Sequence, residues 1–122
     1  AGAFDSLLFL FAHGAGTDSS HPSMQKWAAL IREGFPGARV ELFDYVKPWG
    51  VPRLRAQHLA ALRGALQKHP GVEHVVFIGK SMGSRIGVHA ALDLHGKNSR
   101  PRPCACICLG YPLVGQNGTV RD

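Results

Sequence analysis

The sequence predicts an α/β fold: a mostly parallel sheet of about four strands with helices on both faces. Three observations predict it. Short apolar runs alternate with longer stretches of helical periodicity, in the order strand, helix, strand, helix, strand, helix, strand. Two of the apolar runs end in glycine-rich turns, His13-Gly14-Ala15-Gly16 and Gly79-Lys80-Ser81-Met82-Gly83. Glycine or proline also ends each helical stretch, at Gly34-Phe35-Pro36-Gly37, at Pro70-Gly71 and at Gly96.

The first strand is Leu7-Leu8-Phe9-Leu10-Phe11-Ala12, apolar throughout and therefore buried on both faces. After it, Thr17-Asp18-Ser19-Ser20 is a polar loop, and Pro22 stands where a helix begins. Met24, Trp27, Ala28, Ile31 and Phe35 then form one helical stripe. Arg39 to Tyr45 reads as the second strand. The loop Lys47-Pro48-Trp49-Gly50-Val51-Pro52 leads into a helix running to about His69, with Leu59, Leu62 and Leu66 inward and Arg55, Arg63 and Gln67 outward. Val75 to Ile78 is the third strand, Met82 to about His95 the third helix, and Ala105 to Leu109 the fourth strand.

Right-handed crossovers limit the order of the strands. If the chain reverses direction across the sheet after the second strand, the first and third strands become neighbours. Their carboxyl ends then form the switch point where open α/β sheets bind ligands. Both glycine-rich turns would face that one crevice.

Composition narrows the field. The chain has 122 residues, enough for one domain, and 45% of them are apolar, enough for a core. No apolar run approaches the roughly 20 residues that span a bilayer, so no membrane partner is expected. The first residues, Ala1-Gly2-Ala3-Phe4-Asp5-Ser6, lack the basic segment of a secretory signal, and the missing initiating methionine points to an excised or incomplete chain. A formal charge of +6 raises the question of nucleic acid, but the bases are scattered over helix faces and loops, so no specific nucleic-acid site is expected. Cys104, Cys106 and Cys108 alternate on one apolar strand and read as three small core residues of an intracellular, cytoplasmic or nuclear protein. They have no second Cys/His cluster with ligand spacing, so neither a metal nor any other cofactor is called for.

The stretch Gly79-Lys80-Ser81-Met82-Gly83 carries the chemistry. A G-x-S-x-G between a buried strand and a helix is what a nucleophile elbow needs. The serine takes a strained backbone conformation, and flanking glycines remove side chains that would collide there. The turn lifts the hydroxyl clear of the sheet and aims the first backbone N–H groups of the helix at what the serine attacks. A phosphate-binding loop is excluded, because the position that would need its first glycine is His74. Lys80 is expected to pack its stem beside the strand and send its ammonium to solvent. A flavodoxin-like binding module also fits four strands in this order, but a plain βα turn does not need glycine on both sides of the serine.

Ala12-His13-Gly14-Ala15-Gly16, Gly79 to Gly83 followed by Arg85, and Leu109-Gly110-Tyr111-Pro112-Leu113 together resemble the α/β-hydrolase superfamily over nearly the whole chain. Within it, the chain looks most like the dienelactone-hydrolase-like group. More narrowly, it resembles the hydrolase-like domain shared by a testis-expressed protein and a regulatory subunit of the NSL histone-acetyltransferase complex. The resemblance implies that residues 1–122 are a single, incomplete, three-layer α/β-hydrolase domain. It makes Ser81 the nucleophile and the backbone N–H groups of Met82 and Ala15 the oxyanion hole. His13, Gly14, Gly16, Gly79 and Gly83 then shape the supporting turns, with His13 in packing rather than as general base.

In that superfamily the acid and the histidine follow the serine. After Ser81 the chain holds only His89, His95, Asp93 and Asp122 of those types. His89 and Asp93 lie roughly 12 Å and 18 Å down the helix that starts at Ser81, out of reach of its hydroxyl. With Arg85 they form a polar stripe at i, i+4 and i+8. The base and acid are therefore expected beyond residue 122. His21, His58, His69, His74 and His95 fall in loops, helix ends or turns and read as surface imidazoles, with His21 close enough to the first turn to line the crevice.

Two functions fit: a serine hydrolase acting on a small acyl substrate (ester, thioester or amide), inactive as this chain alone, or a non-catalytic hydrolase-like scaffold that binds a protein partner.

Overall fold

The computed structural model describes residues 2–110 apart from 96, 98 and 99. Four strands and three helices alternate: β1 (Leu7–Ala12), α1 (Pro22–Gly34), β2 (Arg39–Phe43), α2 (Val51–Lys68), β3 (His74–Lys80), α3 (Met82–Leu94) and β4 (Arg102–Leu109). The strands form one parallel sheet in the order β2-β1-β3-β4. The chain thus reverses across the sheet after β2, and β1 and β3 are neighbours, Ala12 standing opposite Gly79.

Alternation along the central strands builds two cores at once. On one face Leu8, Leu10, Val75 and Phe77 pack with Leu62 and Ala65 of α2 and Ala90 and Ala91 of α3. On the other, Phe9, Phe11, Val76 and Ile78 pack with Met24, Ala28 and Ile31 of α1. A third cluster, Ala12, Tyr45, Leu54, Met82 and Ile86, closes the first face at the carboxyl ends of the strands. The result is the three-layer arrangement expected from the alternation of elements.

Several details depart from the reading of the sequence. Trp27 does not join the buried stripe of α1 but is 40% exposed, because Met24, Ala28 and Ile31 already fill the width that the sheet covers. The second strand ends at Phe43, since Tyr45 turns away to donate its N–H to His13 Nε2 at 3.0 Å. The cysteines are not core residues: Cys104, Cys106 and Cys108 are all exposed. β4 is the outer strand of the described sheet, and its register slips between Val75 and Val76, so that Val75 pairs with Pro103 and Val76 with Ala105. Cys104 is left in the resulting bulge, beside a proline that has no N–H for the ladder. Among the described residues no helix is long and apolar enough to cross a membrane.

Candidate active site

Ser81 forms the joint between β3 and α3 and is exposed at the N-cap of the helix. Its backbone angles are φ 51° and ψ −114°, and among the described residues it alone, apart from glycines, has positive φ. That conformation is costly for a residue with a Cβ and persists only where the surroundings impose it. Here they do. The Ser81 N–H donates to the Leu109 carbonyl at 3.0 Å, anchoring the turn to the end of β4. The Ser81 carbonyl accepts from Ser84 N–H at 3.0 Å and from Ser84 Oγ at 2.6 Å, which starts the helix.

Two flanking glycines permit this turn. A Cβ on Gly79 would stand 2.4 Å from the Gly83 carbonyl carbon and 2.5 Å from Ser84 N. A Cβ on Gly83 would stand 2.5 Å from the His13 carbonyl oxygen and 2.6 Å from that of Ala12. The first turn of α3 therefore lies directly on the backbone at the end of β1. Gly14 meets it from the other side, where an added Cβ would come within 3.1 Å of the Lys80 oxygen and 3.3 Å of Ser81 Cβ. The structure brings His13, Gly14, Gly79, Ser81, Met82 and Gly83 together at one switch point. Ala15 and Gly16 follow on the exposed outer part of the same turn, Gly16 with φ 77°.

His13 is buried beneath this turn with both ring nitrogens engaged. Nδ1 donates to the Gly14 carbonyl at 2.8 Å, and Nε2 accepts the Tyr45 N–H at 3.0 Å. These two bonds fix the orientation of the ring. Asp44, 3.9 Å from Nε2, instead accepts from Ser19 N–H at 2.7 Å and Ser19 Oγ at 2.9 Å, tying the loop after β1 to the end of β2. Asp18 accepts from the backbone and hydroxyl of Ser20, which hold its carboxyl below the usual carboxylate range.

His21 is exposed at a helix end, as the sequence reading has it: it is the N-cap of α1, its Nδ1 accepting the Ser23 N–H at 3.1 Å. Two other side chains are placed otherwise than expected. The Lys80 ammonium does not run free to solvent but donates to Ser23 Oγ at 2.7 Å. His58 is not a surface imidazole: it is fully buried in the middle of α2, 2.8 Å from the Tyr45 hydroxyl, edge-on to Phe43 and tilted against Tyr45 and Phe77. Burial pushes His58 down to about 3 and raises Tyr45 well above its ordinary value, so the pair stays uncharged. The spacing Leu54, His58, Leu62, Ala65 carries the signal that would have revealed it, since a residue between two inward leucines on one helical stripe is inward too.

A family model described as alpha/beta hydrolase domain matches residues 5–121. Among solved structures, a protein of Agrobacterium vitis S4 that carries a provisional hydrolase name superposes with TM-score 0.65 at 20% identity, over 86% of this chain and 41% of its own. RedJ, crystallised with a polyethylene glycol molecule in its active site, is 25% identical over 83% of this chain and 40% of its own, but its TM-score of 0.46 marks a looser likeness. The chain thus spans about two fifths of the length of either structure. None of the curated proteins compared with it matches.

Proposed function

Because the chain belongs to the alpha/beta hydrolase domain family, we propose that it is the nucleophile-bearing part of a serine hydrolase that cleaves esters, thioesters or amides. The observation that carries this reading is the exposed, positive-φ Ser81 at the N-terminus of α3. The first backbone N–H groups of a helix have no intrahelical acceptor, so that of Met82 is available to a developing oxyanion. Ala15, on the turn against which Ser81 packs, supplies the second N–H. Each such donor is typically worth about 3 kcal/mol of transition-state stabilisation.

In this scheme Ser81 Oγ attacks the acyl carbon and passes its proton to a general base. The tetrahedral oxygen rests on the two N–H groups, and the leaving group departs to give an acyl-serine that water hydrolyses. His13 is not that base, because Nδ1–H is spent on Gly14 and Nε2 on Tyr45. We assign the histidine and its carboxylate to sequence outside the described residues, which leaves this chain alone with at most the residual rate of an oxyanion hole, ~10³–10⁴-fold over water.

The test compares this chain with a version carrying its natural flanking sequence, each also as Ser81→Ala. Measurements are turnover of an activated ester and covalent labelling by a fluorophosphonate. The longer protein should turn over and label at Ser81, and the short chain hardly at all. Robust turnover by the short chain that vanishes in its Ser81→Ala variant would overturn the assignment of the base. A longer protein that neither labels nor turns over would favour the non-catalytic scaffold implied by the narrower resemblance to a chromatin-complex subunit.

A further inference from the structure

We propose that His13 is the positioning residue of the oxyanion hole: by holding the Gly14 carbonyl, its Nδ1–H turns the Gly14–Ala15 peptide so that the Ala15 N–H faces the crevice beside Ser81. Its chemistry rests on the hydrolase reading, but the hold on the peptide can be measured without turnover.

The carbonyl of Gly14 and the N–H of Ala15 belong to one peptide unit. That unit is trans and planar, so the two groups point opposite ways. His13 is buried beneath the turn, with Nδ1 2.8 Å from the Gly14 oxygen. A hold that draws this carbonyl inward therefore turns the Ala15 N–H outward. Ala15 is exposed, and its N–H has no hydrogen-bond partner among the described residues. The same peptide starts against the serine turn, since a Cβ on Gly14 would meet the Lys80 oxygen at 3.1 Å and Ser81 Cβ at 3.3 Å.

This peptide needs a hold. Ala15 stands between Gly14 and Gly16, and without a Cβ on either side the backbone is free to turn the peptide over. Turned over, it would present a carbonyl oxygen to the crevice, repelling the charge that a tetrahedral oxygen develops. It would also leave the buried Nδ1–H without an acceptor, which disfavours that state. The ring that does the holding is itself fixed. Its Nε2 accepts the Tyr45 N–H at 3.0 Å, just past β2, and Tyr45 is buried with its hydroxyl 2.8 Å from His58 Nδ1. A carbonyl only accepts and an N–H only donates, so these two partners place the ring proton on Nδ1. Asp44, 3.9 Å from Nε2, would favour the other tautomer, but its oxygens are taken by the backbone and hydroxyl of Ser19. Donation to the Gly14 carbonyl also polarises the peptide, which makes the Ala15 N–H a stronger donor.

Two substitutions separate positioning from packing. The Asn amide reaches the place of Nδ1, and the longer Gln amide that of Nε2. His13→Asn can thus keep the bond to Gly14 and lose that to Tyr45, while His13→Gln does the reverse. Each deletes one buried hydrogen bond, so their urea midpoints should fall alike. In the protein with its natural flanking sequence, His13→Gln should lower kcat for an activated ester about 10- to 100-fold, short of the ~10²–10³ for a donor removed outright. KM should hardly change, because the donor acts in the transition state. His13→Asn should lose only a few-fold. Equal losses of kcat in the two variants, or a change confined to KM, would overturn the proposal. If neither variant folds, the parent protein decides: nitrogen NMR should find the His13 ring proton on Nδ1, and a proton on Nε2 overturns the hold. A parent that neither turns over nor labels at Ser81 sinks the hydrolase reading and the catalytic role with it. The ring proton and the Ala15 amide signal, shifted in His13→Gln and nearly unmoved in His13→Asn, then judge the hold on the peptide by themselves.

Discussion

At the scale of single residues, the structure puts its costs where the proposed chemistry is. Ser81 occupies φ 51°, ψ −114°, a region that glycine enters freely and other residues enter at a cost of order 1–3 kcal/mol. Ser81→Gly should therefore raise stability by about 1 kcal/mol, read as a higher urea midpoint, while removing the hydroxyl; an unchanged or lower midpoint would mean the turn is not strained. The second residue is His58. Its folded-state value near 3 lies below the ordinary value of 6.5, so the unfolded chain binds the extra proton first as pH falls. The stability it contributes is whole above pH 6.5 and drains away between there and about pH 3, at up to about 1.4 kcal/mol per pH unit. His58→Leu should flatten that part of the urea-stability profile; profiles that stay parallel between pH 7 and pH 4 would contradict it. The positive-φ turn at Ser81 was legible in the sequence because it is a local pattern of glycines around a serine. The buried Tyr45–His58 pair was not, because it joins a loop to a helix through the third dimension, although the inward spacing of His58 was there to read.

Two glycines one turn apart in α3 show how a single element answers to different neighbours. Gly83 lies against the carbonyls of Ala12 and His13, where an added Cβ would fall 2.5–2.6 Å from backbone oxygen. Backbone on both sides leaves little to yield, so Gly83→Ala should destabilise the fold by a few kcal/mol and disturb the Ser81 turn. Gly87 faces Phe77 Cβ at 3.5 Å and His58 Cε1 at 3.6 Å, which is ordinary contact. Gly87→Ala should be neutral or stabilising by up to about 1 kcal/mol, the usual gain inside a helix. Thermal unfolding of the two variants side by side tests this, and equal losses would mean that close packing of α3 extends a full turn further than Gly83. The sequence announced α3 and its boundaries well, because an apolar strand before it and a serine between glycines mark its start. It could not say which glycine was indispensable, since that depends on the register of α3 over β1, and β1 lies some 70 residues away along the chain.

For the whole molecule, the decisive feature is the unequal finish of the two sides of the sheet. β1 and β3 are covered by helices on both faces, whereas β4 is exposed along most of its length, with Ile107 39% and nearby Leu92 of α3 65% exposed. Cys104, Cys106 and Cys108 were read as core because alternation in an apolar strand usually means burial, and a sequence does not state how many layers flank a given strand. An outer strand with free backbone groups and apolar side chains is a template for pairing. The 122-residue chain should therefore self-associate, its mean mass in sedimentation rising with concentration. Ile107→Lys should reduce that tendency by placing a charge on the strand, with little effect on folding because the side chain is already partly in water. The same exposure should let all three thiols react with a disulfide reagent before unfolding. Cys104 and Cys106 should lag, since partial burial raises both and lowers the thiolate fraction at neutral pH. A monomer at all concentrations, with thiols that react only after denaturation, would show that β4 is covered in solution and that the sheet does not present this edge.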